Sequence, residues 1–260
     1  MITTQPLSIA EPSHFDATAF ATEALCSAAT LAAVMDHTLS KPDATRAQVI
    51  RLCHEAAEHR FACALVNPTW VGVAAETLAG TSVPVGVVIG FPLGATFSAA
   101  KCDEAKRALK LGAHDLDMVM NIGLLKSGTK EDFEAVKQDI RGVAEQAHGA
   151  GAIVKVILET CLLTFEEKLR ATELALAAGA DFIKTSTGFS SGGATVDDIT
   201  LIRSVTGTRA GVKASGGIRS LADASAMLHA GATRLGVSAS VKIIAELLGK
   251  APGAPAPAVS

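Results

Sequence analysis

The sequence predicts an α/β fold: a (β/α)8 barrel of TIM type with an extra N-terminal helix and a disordered C-terminal tail. Three observations carry this. Eight short apolar runs alternate with amphipathic stretches of roughly a dozen residues, the pattern of βα units on a parallel sheet. Three linkers, LGAHDLDMV, LAAGADFIK and LHAGATRLG, each close a helix on Gly or Ala-Gly and open the next strand within three residues. Loops that short suit a closed ring of repeating units. A length of 260 residues matches one such barrel.

In chain order, residues 1–16 are mixed and polar with two prolines, and read as a loose arm. The run ATAFATEALCSAATLAA (17–33) is Ala-rich and free of Gly and Pro, which predicts one helix. The strand candidates are VMDHT (34–38), FACALVN (61–67), VPVGVVIG (83–90), HDLDMVMN (114–121), AIVKVILE (152–159), DFIKTST (181–187), AGVKASG (210–216) and TRLGVS (233–238). Helices are predicted in TRAQVIRLCHEAAEHR, KCDEAKRALKLG, KEDFEAVKQDIRGVAEQAHG, FEEKLRATELALAAG, SLADASAMLHAG and VKIIAELLG; all but the first end on a glycine, which caps a helix without strain. TVDDITLIRSV (195–205) fills the gap between the sixth and seventh strands. The tail GKAPGAPAPAVS is rich in Pro, Ala and Gly and is expected to be disordered. The expected organisation is therefore an arm and helix at 1–33, a catalytic barrel at 34–249 and a tail at 250–260. An open doubly wound sheet is the runner-up, but GVVIGFPLG lacks the G-x-G-x-x-G spacing such a fold usually carries.

Composition excludes several function classes. With 23 Lys+Arg against 26 Asp+Glu the net charge is -3, so no nucleic-acid surface built on bulk charge is expected. At 49% hydrophobic and 19% charged, the chain is not globally disordered. The longest apolar stretch, around Val83 to Phe91, is far short of the ~20 residues a spanning helix needs, so no membrane partner is expected. MITTQPLSIAEPSHFD has no basic start followed by an apolar stretch, so no secretory signal is read and a cytoplasmic location is expected. The five cysteines are scattered without a C-x-x-C pair and read as small buried hydrophobes. Only 4% of residues are aromatic, so the core must be aliphatic.

Parallel strands covered on both faces should be apolar throughout. Four of the candidates break that rule with Asp115 and Asp117, Lys155, Lys184, and Lys213. Residues two apart share a face, so these charges can converge in the barrel interior. The ordinary alternative is a strand-end lysine that snorkels to solvent or pairs for structure alone; recurrence on adjacent strands weakens it. A lysine amine is a nucleophile only when neutral, and its reference pKa of ~10.4 must be pulled down by burial or by a second cation. Lys184 beside Lys213 fits a Schiff-base lysine with a perturbing neighbour, and Asp117 fits a proton carrier. No paired histidines or carboxylates stand at ligand spacing, so neither metal nor other cofactor is expected.

A second constellation lies in Gly216-Gly217 after the seventh strand and Ser238 at the end of the eighth, with Gly188 after the sixth. Loops in these places of a barrel often bind phosphate through backbone N–H groups. Turn glycines without a ligand are the alternative. A phosphorylated aldehyde or ketone is the substrate class that follows.

These segments resemble the deoxyribose-phosphate aldolase family. FIKTSTGF (182–189) is similar to its Schiff-base motif, and DHTLSKPD, FACALVNPTWV, VVIGFPLG, LDMVMNIG, VKVILET and GVKASGGIR follow in the family's order over about residues 34–248. The resemblance implies a metal-free class I aldolase of deoxyribonucleotide catabolism that joins acetaldehyde to glyceraldehyde 3-phosphate. It implies imine formation at Lys184, a pKa-depressing role for Lys213, proton shuttling by Asp117 and phosphate binding at Gly188, Gly216, Gly217 and Ser238. Lys155 and Asp36 are implied as supporting residues beside the pocket. Family members are commonly dimers, so a homodimer is a possible assembly. The sequence departs from the family in having no tyrosine for a C-terminal proton relay, Leu65 where several members have cysteine, and Ala239-Ser240 where a Ser pair is usual. Two other functions remain open at this point: another Schiff-base sugar-phosphate aldolase, or a non-catalytic phosphate-binding barrel.

Overall fold

The computed structural model describes residues 14–249. The expected tail, 250–260, and residues 1–13 of the expected arm lie outside them. Eight parallel strands close in sequence order: β1 Met35–Leu39, β2 Cys63–Val66, β3 Val85–Ile89, β4 Ala113–Val119, β5 Ile153–Ile157, β6 Phe182–Lys184, β7 Gly211–Ser215 and β8 Arg234–Val237, with β8 pairing back to β1. Every strand candidate falls on a strand. Among the described residues the α-helices are α1 Ala17–Ala24, α2 Ala28–Ala32, α3 Arg46–His59, α4 Val71–Thr77, α5 Ser98–Lys110, α6 Ile122–Ser127, α7 Lys130–Gly149, α8 Phe165–Ala177, α9 Val196–Thr206, α10 Leu221–His229 and α11 Ser240–Leu247. None of the helices among the described residues is long and apolar enough to cross a membrane.

The single helix expected over 17–33 is instead two. Ser27 adopts extended backbone, its hydroxyl accepts from the Thr30 N–H, and the Thr30 side chain accepts from the Ser27 N–H. That reciprocal cap starts α2 afresh and stops α1 at Leu25. The pair closes the N-terminal end of the barrel. α1 packs on α10 and α2 on α11. The Phe15 ring lies 4.1 Å from the Arg203 guanidinium, which donates to the carbonyls of Gly231, Gly207 and Ala210 in the loops that enter β7 and β8. α4 and α6 add to the expected set; at seven and six residues they are too short to show helical periodicity in sequence.

The main core lies between the outer face of the sheet and the helices, and is aliphatic as the composition requires. The barrel interior differs. It carries a small apolar wall of Cys63, Leu65 and Val88 and, on the other strands, a buried cluster of charges. At the bottom, Phe182 fills the interior because Gly211 leaves room: a Cβ there would stand 2.1 Å from the ring. All five cysteines are free, but only Cys53 and Cys63 are buried; Cys26 and Cys161 are exposed, contrary to the expectation for the set.

Candidate active site

Register sets the site. Asp117 pairs with Lys155 across β4 and β5, and Lys184 with Lys213 across β6 and β7, so alternation turns all four side chains inward together. Asp36 arrives from β1 and Asp115 from one pleat lower on β4. Lys184 Nζ donates to Asp117 Oδ2 at 2.7 Å, and Lys213 Nζ donates to the same oxygen at 2.6 Å and to Asp36 Oδ2 at 2.5 Å. Lys155 meets Asp115, and lies 3.2 Å from Asp117 Oδ1 and 3.5 Å from Asp36 Oδ2. The supporting positions expected for Lys155 and Asp36 are thus inside the cluster itself. Sequence reasoning missed Arg234, whose guanidinium donates to Asp36 Oδ1 at 2.9 Å. Its one signal in sequence was a charge at the start of the eighth strand candidate, TRLGVS; the register that sets it opposite Lys213 comes only with the fold.

The inward Gly236 makes room for this network. A Cβ at this position would stand 2.9 Å from Lys213 Cε and 2.8 Å from Ser215 Oγ, so only glycine leaves Lys213 its path to the aspartates.

The electrostatics separate the three lysines. Burial is the largest influence on Lys184 and pulls its amine below the usual lysine value; Asp117 opposes this and Lys213 adds to it. The nearby Lys213 charge thus lowers Lys184 less than desolvation does. Lys213 itself goes the other way: burial lowers it, but Asp117 and Asp36 together outweigh burial and hold it protonated. Burial pulls Lys155 down to about 7. Asp36 is held far below the usual carboxylate range, because Lys213, Lys155 and Arg234 together outweigh the burial that would raise it. Two amines with lowered pKa, Lys184 and Lys155, thus stand beside one fixed cation, with Asp117 in reach of all three.

A metal is poorly matched to these residues. Asp36, Cys63 and Asp115 bring their ligand atoms within 4.8 Å of one another, but lysines and Arg234 already neutralise both carboxylates. Burial pushes the Cys63 thiol up to about 12, whereas a metal ligand must be a thiolate.

Above the cluster, a cavity of 390 Å³ opens at the C-terminal ends of β1, β6, β7 and β8. Gly188, Gly216, Gly217 and Ser238, the four loop residues singled out in sequence, all line it, with Lys41 and Arg219 at its rim and no carboxylate. Gly216 has φ +89°, and Gly193, which a Cβ would drive to 2.4 Å from the Gly216 carbonyl, lets the two loops touch. Ser240 does not face the cavity; it is buried and its hydroxyl donates to the Val237 carbonyl. A second cavity of 260 Å³ adjoins it across Ser40 and Phe189, walled by Val88, Phe91 and Pro68.

Closed barrel, convergent amines and an anion-sized cavity at the strand C-termini together define a barrel enzyme equipped for covalent carbonyl chemistry on a small anionic substrate. The family model described as DeoC/LacD family aldolase matches residues 30–245, and the chain belongs to that family. It is 54% identical over 214 residues to the deoxyribose-phosphate aldolase of Geobacillus sp. (strain WCH70), covering 82% of this chain and 94% of the relative. The Listeria welshimeri deoxyribose-phosphate aldolase is 54% identical over 215 residues, 83% of this chain and 95% of that one. Among solved structures, the tetrameric deoxyribose phosphate aldolase of Aeropyrum pernix superposes with a TM-score of 0.82 at 35% identity, covering 91% of this chain and 99% of that one.

Proposed function

We propose that Lys184 forms the imine in a reversible cleavage of 2-deoxy-D-ribose 5-phosphate to D-glyceraldehyde 3-phosphate and acetaldehyde. The activity is that of a deoxyribose-phosphate aldolase, the function named for relatives at 54% identity over most of the chain. The observation that carries the assignment to Lys184 is its nearly buried amine, with lowered pKa, 2.7 Å from a carboxylate that Lys213 also grips.

The neutral Lys184 amine adds to the C1 aldehyde of the open-chain sugar, and the carbinolamine loses water to give an iminium. Asp117 is the group placed to take and return protons in these steps. Loss of the C3 hydroxyl proton breaks the C2–C3 bond, the electron pair runs to the iminium nitrogen, and glyceraldehyde 3-phosphate leaves. Protonation of the enamine at C2 and hydrolysis release acetaldehyde and restore Lys184. Lys213, fixed as a cation, favours the neutral form of its neighbour. Gly188, Gly216, Gly217 and Ser238 receive the phosphate in the 390 Å³ cavity. No step calls on a metal or cofactor.

In this reading residues 34–249 form the catalytic barrel and 1–33 an appended arm with helical segments, the enzyme works in the cytoplasm, and a homodimer is its assembly. The direct test is acetaldehyde with borohydride followed by peptide mass mapping. An ethyl adduct on Lys184 is expected; folded protein with no adduct on any lysine would reject the imine mechanism.

A further inference from the structure

Glu159, two residues past the end of β5, has no part in the cluster described above, yet it is 3% exposed and holds φ +56°. A bulky residue in that left-handed region is strained, and such strain persists only where surrounding contacts enforce it. The contacts are specific. Glu159 Oε1 accepts from the Thr187 backbone N–H at 3.2 Å, and Oε2 accepts from the Thr187 hydroxyl. On either side, the Leu158 N–H donates to the Lys184 carbonyl and the Thr160 N–H to the Thr185 carbonyl, each at 3.0 Å. The strained residue therefore bridges from β5 to the segment that runs from Lys184 to Thr187.

The hydroxyl of Thr187 has one proton and two lone pairs. The proton goes to Glu159, and one lone pair accepts from the Phe189 N–H at 3.0 Å. One lone pair is left, on a residue that lines the 390 Å³ cavity three positions after Lys184. We propose that Glu159 is a positioning residue that fixes Thr187 as a hydrogen-bond acceptor, so that the site selects substrates presenting a hydroxyl beside the imine carbon chain. The proposal rests on the deoxyribose-phosphate reading and names what that site recognises besides phosphate.

Glutamine at 159 is the sharpest probe. The pair of donors from Thr187 requires two acceptors, and an amide supplies one acceptor and one donor. Its NH2 turns the Thr187 hydroxyl around, and the proton then faces the cavity. Glu159→Gln should raise KM for 2-deoxyribose 5-phosphate about 10-fold or more while the rate of acetaldehyde trapping on Lys184 stays at the wild-type value, since acetaldehyde brings no hydroxyl. Thr187→Val should show the same split, and the double variant should be no worse than Thr187→Val alone. Equal loss in both reactions, no loss in either, or additive losses would each overturn the proposal. Should Glu159→Gln not fold, Thr187→Val is read alone: a KM-selective loss supports the assignment and a loss of trapping removes it. Wild-type protein that traps acetaldehyde but does not cleave the sugar phosphate would defeat the parent reading before any variant is made.

Discussion

The protein buries lysine against aspartate in two places, and the two differ in how the charges are shared. Outside the barrel, Lys101 of α5 meets Asp139 of α7 at 2.5 Å and donates to the Val119 carbonyl at 2.9 Å; both side chains are buried. One cation has one carboxylate and one carbonyl. Inside the barrel no carboxylate belongs to a single partner at the level of Lys184: Asp117 is shared by Lys155, Lys184 and Lys213, and Asp36 by Lys155, Lys213 and Arg234. Burial is common to both clusters, so burial does not make a site. What distinguishes the interior is a surplus of cations over carboxylates below an open cavity, which leaves Lys184 and Lys155 with lowered pKa.

The largest expected effect follows from that asymmetry. Lys184→Leu should abolish aldol cleavage, because no other amine stands where an imine could form, while circular dichroism shows the fold intact. Measurable turnover by this variant would break the distinction between the two clusters at its root.

The closed pair should respond in the opposite currency, stability without chemistry. Lys101→Met leaves Asp139 buried and unpaired, and should lower unfolding free energy by about 3–5 kcal/mol in a urea titration. The fraction still folded should keep wild-type kcat. Replacing both partners, Lys101→Met with Asp139→Leu, should recover most of the loss, since no charge then remains without a counter-ion. A single variant as stable as wild type would mean that the pair is not closed in solution.

Lys213→Leu sits between these extremes. Removing the fixed cation takes a positive charge from beside Lys184 and leaves Asp117 to Lys184 and Lys155, which favours the charged amine and raises the Lys184 pKa. The neutral fraction at pH 7 falls, so kcat should drop about 10²-fold, a barrier increase of about 2.7 kcal/mol. Because the lost quantity is deprotonated amine, activity should return in part as pH rises, and the acidic limb of the profile should move to higher pH. A profile that drops without moving would assign Lys213 some role other than its charge.

The same contrast explains what was legible in the sequence. Lys155, Lys184 and Lys213 stand out because a strand buried on both faces has no ordinary place for charge. Lys101 does not, because KCDEAKRALKLG reads as an amphipathic helix on which one charge among several draws no notice; only the fold shows that this one points inward. Arg234 opens its strand, where a long side chain usually reaches solvent, and Glu159 ends the candidate AIVKVILE, two residues past the strand itself. The break between α1 and α2 was hidden for a different reason. Its cap joins Ser27 to Thr30, and a threonine in the third position lacks the Glu or Gln that marks a capping box in sequence. The phosphate loops were legible as positions after named strands, whereas the contact between Gly193 and Gly216 depends on two loops meeting in space.

Arg203 offers a third way to bury a cation and sets the smallest expected effect. Among the described residues no carboxylate pairs with it; three carbonyls and the face of Phe15 surround the guanidinium. The carbonyls come from the barrel, and only the ring comes from the N-terminal segment. Phe15→Ala should therefore leave Arg203 hydrogen-bonded and cost about 1 kcal/mol of stability, the scale of a cation–π contact. Activity should be unchanged, because the loops that Arg203 ties lie at the end of the barrel away from Lys184. Arg203→Ala, by contrast, strips donors from three carbonyls at once and should cost more than Phe15→Ala in the same titration. If the two variants lose equally, the ring and not the carbonyl ties holds the guanidinium, and the bottom of the barrel depends on the arm that covers it.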